Sequence, residues 1–202
     1  AASDVYKRQT NGYVVSDENH HCLIIDPGAN GKKVVHYLTE NELVPEAVLL
    51  THGHFDHIGA VDYLYEHYHC PIYLHQDDLE MLDNPQLNLS VYENPFTVKA
   101  PVQSSHEEMK FGDFDVQWLH LPGHCPGSSM IYLKDENIIF SGDVLFKGSI
   151  GRFDFPNSSK YETIESINKI KEYDFDAVIY PGHGPNSTLS EERLNNPYLK
   201  KS

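Results

Sequence analysis

The chain has 202 residues, enough for one well-buried domain and too few for two large ones. Its 40% hydrophobic and 11% aromatic content is globular, and a formal net charge of −15 leaves no basic face for nucleic acid or an anionic membrane, so neither is expected as a partner. No run approaches the ~18 apolar residues of a membrane span, and no charged-then-apolar leader is expected ahead of the fold.

Ala1–Gln9 shows no alternation and puts Lys7-Arg8-Gln9 where a strand would be wanted. It is expected to be a non-native extension, leaving residues 10–202 as a single domain. Gly12-Tyr13-Val14-Val15 and Cys22-Leu23-Ile24-Ile25 flank a polar turn and predict a β-hairpin. Asp26-Pro27-Gly28-Ala29 turns into a helix from Lys32 to Thr39, with Val34, Val35 and Leu38 on one face. Ala47-Val48-Leu49-Leu50 is short and apolar, a buried strand.

Directly after it stands Thr51-His52-Gly53-His54-Phe55-Asp56-His57-Ile58-Gly59, then a helix from Gly59 to about Tyr68. A strand's carboxyl end is where open α/β sheets place their sites. Thirteen histidines make chance neighbours, and His20-His21 reads as a solvated turn. Burying three histidines and an aspartate together is different, because it would cost several kcal/mol without a partner. Neutral imidazole and carboxylate suit Zn²⁺, and also Fe²⁺ or Mn²⁺.

Pro71-Ile72-Tyr73-Leu74 is another short strand, and Asp77–Leu82 is predicted helical with acidic residues in its first turn. From Asp83 to about Ser105, prolines, asparagines and serines predict an irregular segment, either a cover over the site or a plain connector. Phe114, Val116 and Trp118 alternate with polar neighbours as a half-exposed strand. The strand-end pattern then returns at His120-Leu121-Pro122-Gly123-His124, at Ser141-Gly142-Asp143 after Ile138-Ile139-Phe140, and at Pro181-Gly182-His183 after Ala177-Val178-Ile179-Tyr180. The three cysteines, Cys22, Cys70 and Cys125, lack metal-type spacing and point to a reducing cytoplasm, with Cys22 and Cys70 as buried filler.

The metal-ligating candidates are therefore His52, His54, Asp56, His57, His124, Asp143 and His183. Seven groups exceed one tetrahedral ion and suit two metals sharing a carboxylate. Asp143 is the natural bridge; its competing role is a hydrogen bond to a ligand histidine. Asp56 and Asp143 are the carboxylates expected to carry catalysis.

In order along the chain, Asn11-Gly12-Tyr13, Ile25-Asp26-Pro27-Gly28, the His52–His57 cluster, Pro122–Ser128, Ser141–Phe146 and Tyr180–Pro185 resemble the metallo-β-lactamase-fold hydrolases. Gly148–Arg152 and Asn196–Leu199 narrow the resemblance to small single-domain relatives of hydroxyacylglutathione hydrolase (glyoxalase II). It implies an α/β four-layer αβ/βα sandwich. It also implies two Zn²⁺, one held by His52, His54 and His124, the other by Asp56, His57 and His183, with Asp143 between. A bridging hydroxide would attack the carbonyl of a small S-acyl thiol such as an S-lactoyl conjugate, and Ser128, Ser129 and Cys125 would not be nucleophiles.

The two-domain glutathione enzymes carry a C-terminal helical domain with basic substrate-binding residues, which is not expected here. Where they have a lysine and a tyrosine this chain has Arg152 and Asp154, and Pro185 replaces another tyrosine. Arg152 is the candidate for binding a substrate carboxylate, against a purely structural role. The alternative function is a persulfide dioxygenase with a single Fe²⁺. The likeness is to the thioester branch rather than to the β-lactam one.

Overall fold

The computed structural model describes residues 10–200, so the expectation for Ala1–Gln9 lies outside the described residues. The first half of the chain builds one five-stranded sheet, in the order β1-β2-β3-β4-β5. Its elements are β1 (Tyr13–Ser16), β2 (His21–Ile25), α1 (Gly31–Glu40), β3 (Val44–Leu49), α2 (Phe55–Ile58), α3 (Val61–Tyr68), β4 (Ile72–Leu74) and β5 (Gln103–Ser104). β1 and β2 are the expected antiparallel hairpin, and β2 through β5 run parallel.

The second half builds a six-stranded sheet, ordered β13-β12-β9-β8-β7-β6. It comprises β6 (Glu108–Phe111), β7 (Phe114–His120), β8 (Ser129–Leu133) and β9 (Ile138–Gly142), then, after the small hairpin β10 (Leu145–Phe146) and β11 (Ser149–Ile150), α4 (Lys160–Glu172), β12 (Val178–Pro181), β13 (Ser187–Thr188) and α5 (Leu189–Asn195).

Strand periodicity divides the apolar side chains among three cores. Leu23, Ile25, Ala47 and Leu49 face Phe114, Val116, Trp118, Ile131 and Phe140 between the two sheets. Their neighbours Cys22, Ile24, Val48 and Leu50 point the other way, onto Leu38, Val61 and Leu64 of α1 and α3. On the far side Met130, Tyr132, Ile139 and Ile179 meet Ile170 of α4 and Leu189 of α5. This is the expected four-layer αβ/βα sandwich, and strands buried on both faces read as unbroken apolar runs. No helix among the described residues is long and apolar enough to cross a membrane.

Three expectations need correction. The helix placed from Gly59 begins at Val61, and a separate one-turn helix, Phe55–Ile58, precedes it inside the histidine cluster. Gly59 lies against the Gly28 carbonyl, where a Cβ would come within 2.2 Å, and Gly28 lies against the Asp56 carbonyl, where a Cβ would come within 1.8 Å. The segment predicted as a helix over Asp77–Leu82 is a 3-10 helix over Gln76–Asp83. The stretch from Asp83 to Ser105 holds a 3-10 turn at Ser90–Tyr92 as well as β5.

All three cysteines are free and buried. Burial, with Cys70 beside it, pushes the Cys22 thiol up to about 12, and burial pushes Cys70 up to about 11, which fits inert packing groups.

Candidate metal centre

Strands β2, β3 and β4 run parallel, and so do β9 and β12. The Ser129 N–H donates to the Thr51 carbonyl (3.0 Å), tying the two sheets at the edge where β3 ends. The loops after β3, β7, β9 and β12 therefore empty into one place, and all seven candidate ligands lie there. Four ligand-type groups, His52, His54, His124 and Cys125, bring one atom each within 4.8 Å of one another, and Asp56, His57, Asp143 and His183 do the same beside them. Asp143 touches both groups. Its Oδ2 lies 3.7 Å from His52 Nε2, 3.3 Å from His124 Nε2 and 3.4 Å from His183 Nε2, while Oδ1 lies 3.2 Å from His57 Nε2.

The protein has fixed which ring nitrogens face inward. His57 Nδ1–H donates to Asp26 Oδ2 (2.9 Å) and His124 Nδ1–H to the Arg152 carbonyl (2.7 Å). His52 Nδ1 lies 3.1 Å from Thr51 Oγ1, whose hydroxyl donates to Asp26 Oδ2 (2.6 Å). These bonds leave the three Nε2 atoms aimed at the centre, the arrangement by which outer partners orient metal-bound histidines. His54 is turned the other way, with Nε2 3.2 Å from Cys125 Sγ and Nδ1 3.1 Å from His124 Nε2.

Three buried polar atoms here, His52 Nε2, His57 Nε2 and Asp143 Oδ1, make no hydrogen bond. Such groups are costly without a partner, and a cation satisfies all of them at once. The electrostatics agree. Burial holds His52 well below the usual imidazole range and His54 down to about 3, so both keep their lone pairs. Despite its burial, Asp143 is held far below the usual carboxylate range by His57 and His52, and Asp56 is held to about 2 by His57 and His183. His183 is raised to about 9 by its bonds to Asp143 and Asp56, and His57 is raised despite burial by Asp143, Asp56 and Asp26. The protons on these two rings stand in for the charge of a cation, and binding one releases them.

Asp26, expected in a turn, and Asp78, expected as an acid in a helix's first turn, are both buried supports. Asp78 Oδ2 accepts from the Gly53 N–H (3.0 Å) and Oδ1 from the Gly127 N–H (2.6 Å), pinning both histidine loops. Burial nevertheless pushes its carboxyl up to about 7. Asp78→Ala strands two buried amides, so unfolding in urea should show a loss of about 2–4 kcal/mol; an unchanged midpoint would remove Asp78 from this role. Asp56 is braced by Thr10, whose hydroxyl donates to Oδ2 (2.5 Å).

Arg152 stands at the rim with a 68% exposed side chain, paired with Asp154 through Nε–Oδ1 (2.9 Å) and Nη2–Oδ2 (3.0 Å), and 4.6 Å above the Phe155 ring. It borders a cavity of about 270 Å³ beside the centre, walled by Phe55, Leu89, Phe146 and Phe155 and floored by Asp56, Asp143 and His183. Leu89 belongs to the irregular segment, and the Phe55 N–H donates to the Asn88 carbonyl (2.8 Å). That connector is one wall of the cavity.

Two sheets enclosed by helices bring clustered histidines and carboxylates to one edge, a candidate metal centre. The chain belongs to the metallo-β-lactamase superfamily, whose family model matches residues 5–183. It is 40% identical over 197 residues to the probable metallo-hydrolase YqgX of Bacillus subtilis, covering 95% of this chain and 92% of that protein. It is 32% identical to the hydroxyacylglutathione hydrolase GloC of Haemophilus influenzae, with 95% and 93% covered. Among solved structures, the BLEG-1 B3 metallo-β-lactamase superposes with a TM-score of 0.92 at 36% identity, covering 100% of this chain and 99% of that one. TTHA1623 in a di-iron-bound form superposes with a TM-score of 0.87 at 36% identity, covering 98% and 100%.

Proposed function

We propose that this chain hydrolyses a small S-acyl thiol, of the S-lactoyl type, with two divalent cations held between its sheets. The observation that carries this reading is Asp143, which reaches both ligand groups with its two oxygens. His52, His54 and His124 would hold one ion and Asp56, His57 and His183 the other, with Asp143 shared. Zn²⁺ suits the donor set; the di-iron form of a similar protein keeps iron in contention. Such a pair supplies a water of lowered pKa and a Lewis acid for the carbonyl.

The chain's own residues do the rest. Asp26, Thr51 and the Arg152 carbonyl hold the histidines in place, and the aromatic wall excludes water and accepts a short acyl chain. Cys125 is no nucleophile, since burial pushes its thiol well above the ordinary range. Hydrolysis of a thioester is supported by the name of the GloC relative. On the rim, Arg152 is shared with Asp154, so a substrate carboxylate would compete for the same guanidinium.

Arg152→Ala keeps the carbonyl that orients His124 and removes only the guanidinium. It should raise KM for an anionic thioester several-fold with kcat little changed; unchanged kinetics would return Arg152 to a structural role.

The deciding experiment measures metal per chain after growth with zinc and iron. It then assays S-lactoyl conjugates of glutathione and of smaller thiols, a chromogenic β-lactam and a persulfide. Two metals with thioester cleavage support the proposal. One iron with oxygen uptake on the persulfide, or preferential opening of the β-lactam, overturns it.

A further inference from the structure

We infer that His75, Asp77 and His120 form a second site, open to solvent, for one divalent late-transition-metal ion. The site shares no residue with the seven-residue centre. His75 follows β4 and His120 ends β7, so one comes from each sheet. Each of the three residues offers a ligand atom within 4.8 Å of the others. The two imidazoles stack with centroids 3.8 Å apart and planes 12° apart, so their in-plane lone pairs run nearly parallel and one ring must turn out of the stack before both face a single ion.

Their hydrogen bonds show which lone pairs are available. His120 Nε2 lies 2.8 Å from the Pro126 carbonyl, which can only accept, so Nε2 carries the proton and Nδ1 keeps its lone pair. An imidazole anchored to a backbone carbonyl through one nitrogen is the usual support for a metal bond through the other. His75 Nδ1 accepts the Asp77 N–H (3.1 Å), so it too has a lone pair, and Asp77 Oδ2 is 3.8 Å from that same nitrogen. Burial and the neighbouring His120 hold His75 below the usual imidazole range, which keeps the ring neutral.

Bonds of about 2.1 Å in a tetrahedral site place ligand atoms roughly 3.4 Å apart. The three groups must close by about an ångström; His120 is held by the Pro126 carbonyl, so His75 is the ring that turns, and Asp77, with its side chain 48% exposed, is free to swing in. The Asp77 amide displaced by the ion then turns to water. Two imidazoles and one carboxylate favour Zn²⁺, Ni²⁺ or Cu²⁺ over Mg²⁺ or Ca²⁺. A cavity of about 330 Å³, bordered by Ser105, His106 and Lys169 as well as both histidines, leaves the fourth position to water or a small ligand. An ion here would also brace the loop from His120 to Gly127.

The test is equilibrium dialysis of the metal-loaded protein against graded zinc, with bound zinc counted by elemental analysis. Wild type should bind one equivalent more than His75→Ala or His120→Ala, and Asp77→Asn should weaken that equivalent at least about tenfold. His106→Ala, beside the cavity but outside the ligand set, should retain it. The difference between variants is read whatever the main centre holds, so failure here is separable from failure of the proposed function. Equal zinc in wild type and His75→Ala, with unchanged circular dichroism, overturns the site. The His75 variant decides the matter even where His120→Ala fails to fold.

Discussion

Asp143→Ala should lower hydrolysis at least about a thousandfold and reduce bound metal in the same preparation. Removing one preorganised stabilising group at a catalytic centre already costs 10²–10³, and this carboxylate faces both ligand groups. Asp143→Asn separates charge from shape. It keeps an oxygen toward one group, so it should retain more metal than the alanine variant while remaining nearly inactive. An Asp143→Ala protein with full activity and full metal would leave the shared-carboxylate reading without support. Elemental analysis beside the rate assay distinguishes a lost ion from a misplaced one.

Asp26→Ala should be the most destabilising single change near the centre. The carboxylate accepts from the Thr51 N–H (2.8 Å), the Thr51 hydroxyl (2.6 Å) and His57 Nδ1–H (2.9 Å), and the residue is 2% exposed. Three stranded buried donors at about 1–3 kcal/mol each give an expected loss of at least about 3 kcal/mol in the metal-free protein. Metal affinity should fall a further 10–100-fold, about what losing an outer partner costs, because His57 is released directly and His52 through Thr51. Asp26→Asn retains an acceptor for the Thr51 amide and should recover part of the stability. Urea unfolding without metal, followed by zinc competition titration, reads the two effects separately. A midpoint unmoved in the alanine variant would show that Thr51 and His57 find other partners.

The strands that carry the site were legible because their ends share one pattern: an apolar run, then glycine beside histidine or aspartate. Asp26 fits that pattern too, at the end of β2 before Pro27-Gly28, and reading it as a turn missed a buried support. Helices α4 and α5 drew no expectation, although Ser159 precedes Glu162 and Thr188 precedes Glu191 with capping-box spacing. Both hydroxyls do accept the amide three residues on (3.1 Å each).

Asp78 was not legible. In sequence it is one of several acids beside a short apolar run, and only the approach of Gly53 and Gly127 shows that it turns inward. His75 and His120 are as silent, lying far apart in the chain and meeting only when two sheets stack. The early helical turn at Phe55 likewise depends on a contact across the fold, the packing of Gly28 on the Asp56 carbonyl.

The two sheets come from separate halves of the chain, and each half brings only part of the metal centre. His52, His54, Asp56 and His57 arrive with the first, and His124, Asp143 and His183 with the second. Neither half alone offers a complete set, and bringing the halves together costs the loop entropy of a long chain before any coordination rewards it. An ion that binds only the docked form then stabilises it by mass action. An ion held by both halves would thus favour the correctly stacked chain, since sheets stacked out of register present scattered ligands and bind it weakly.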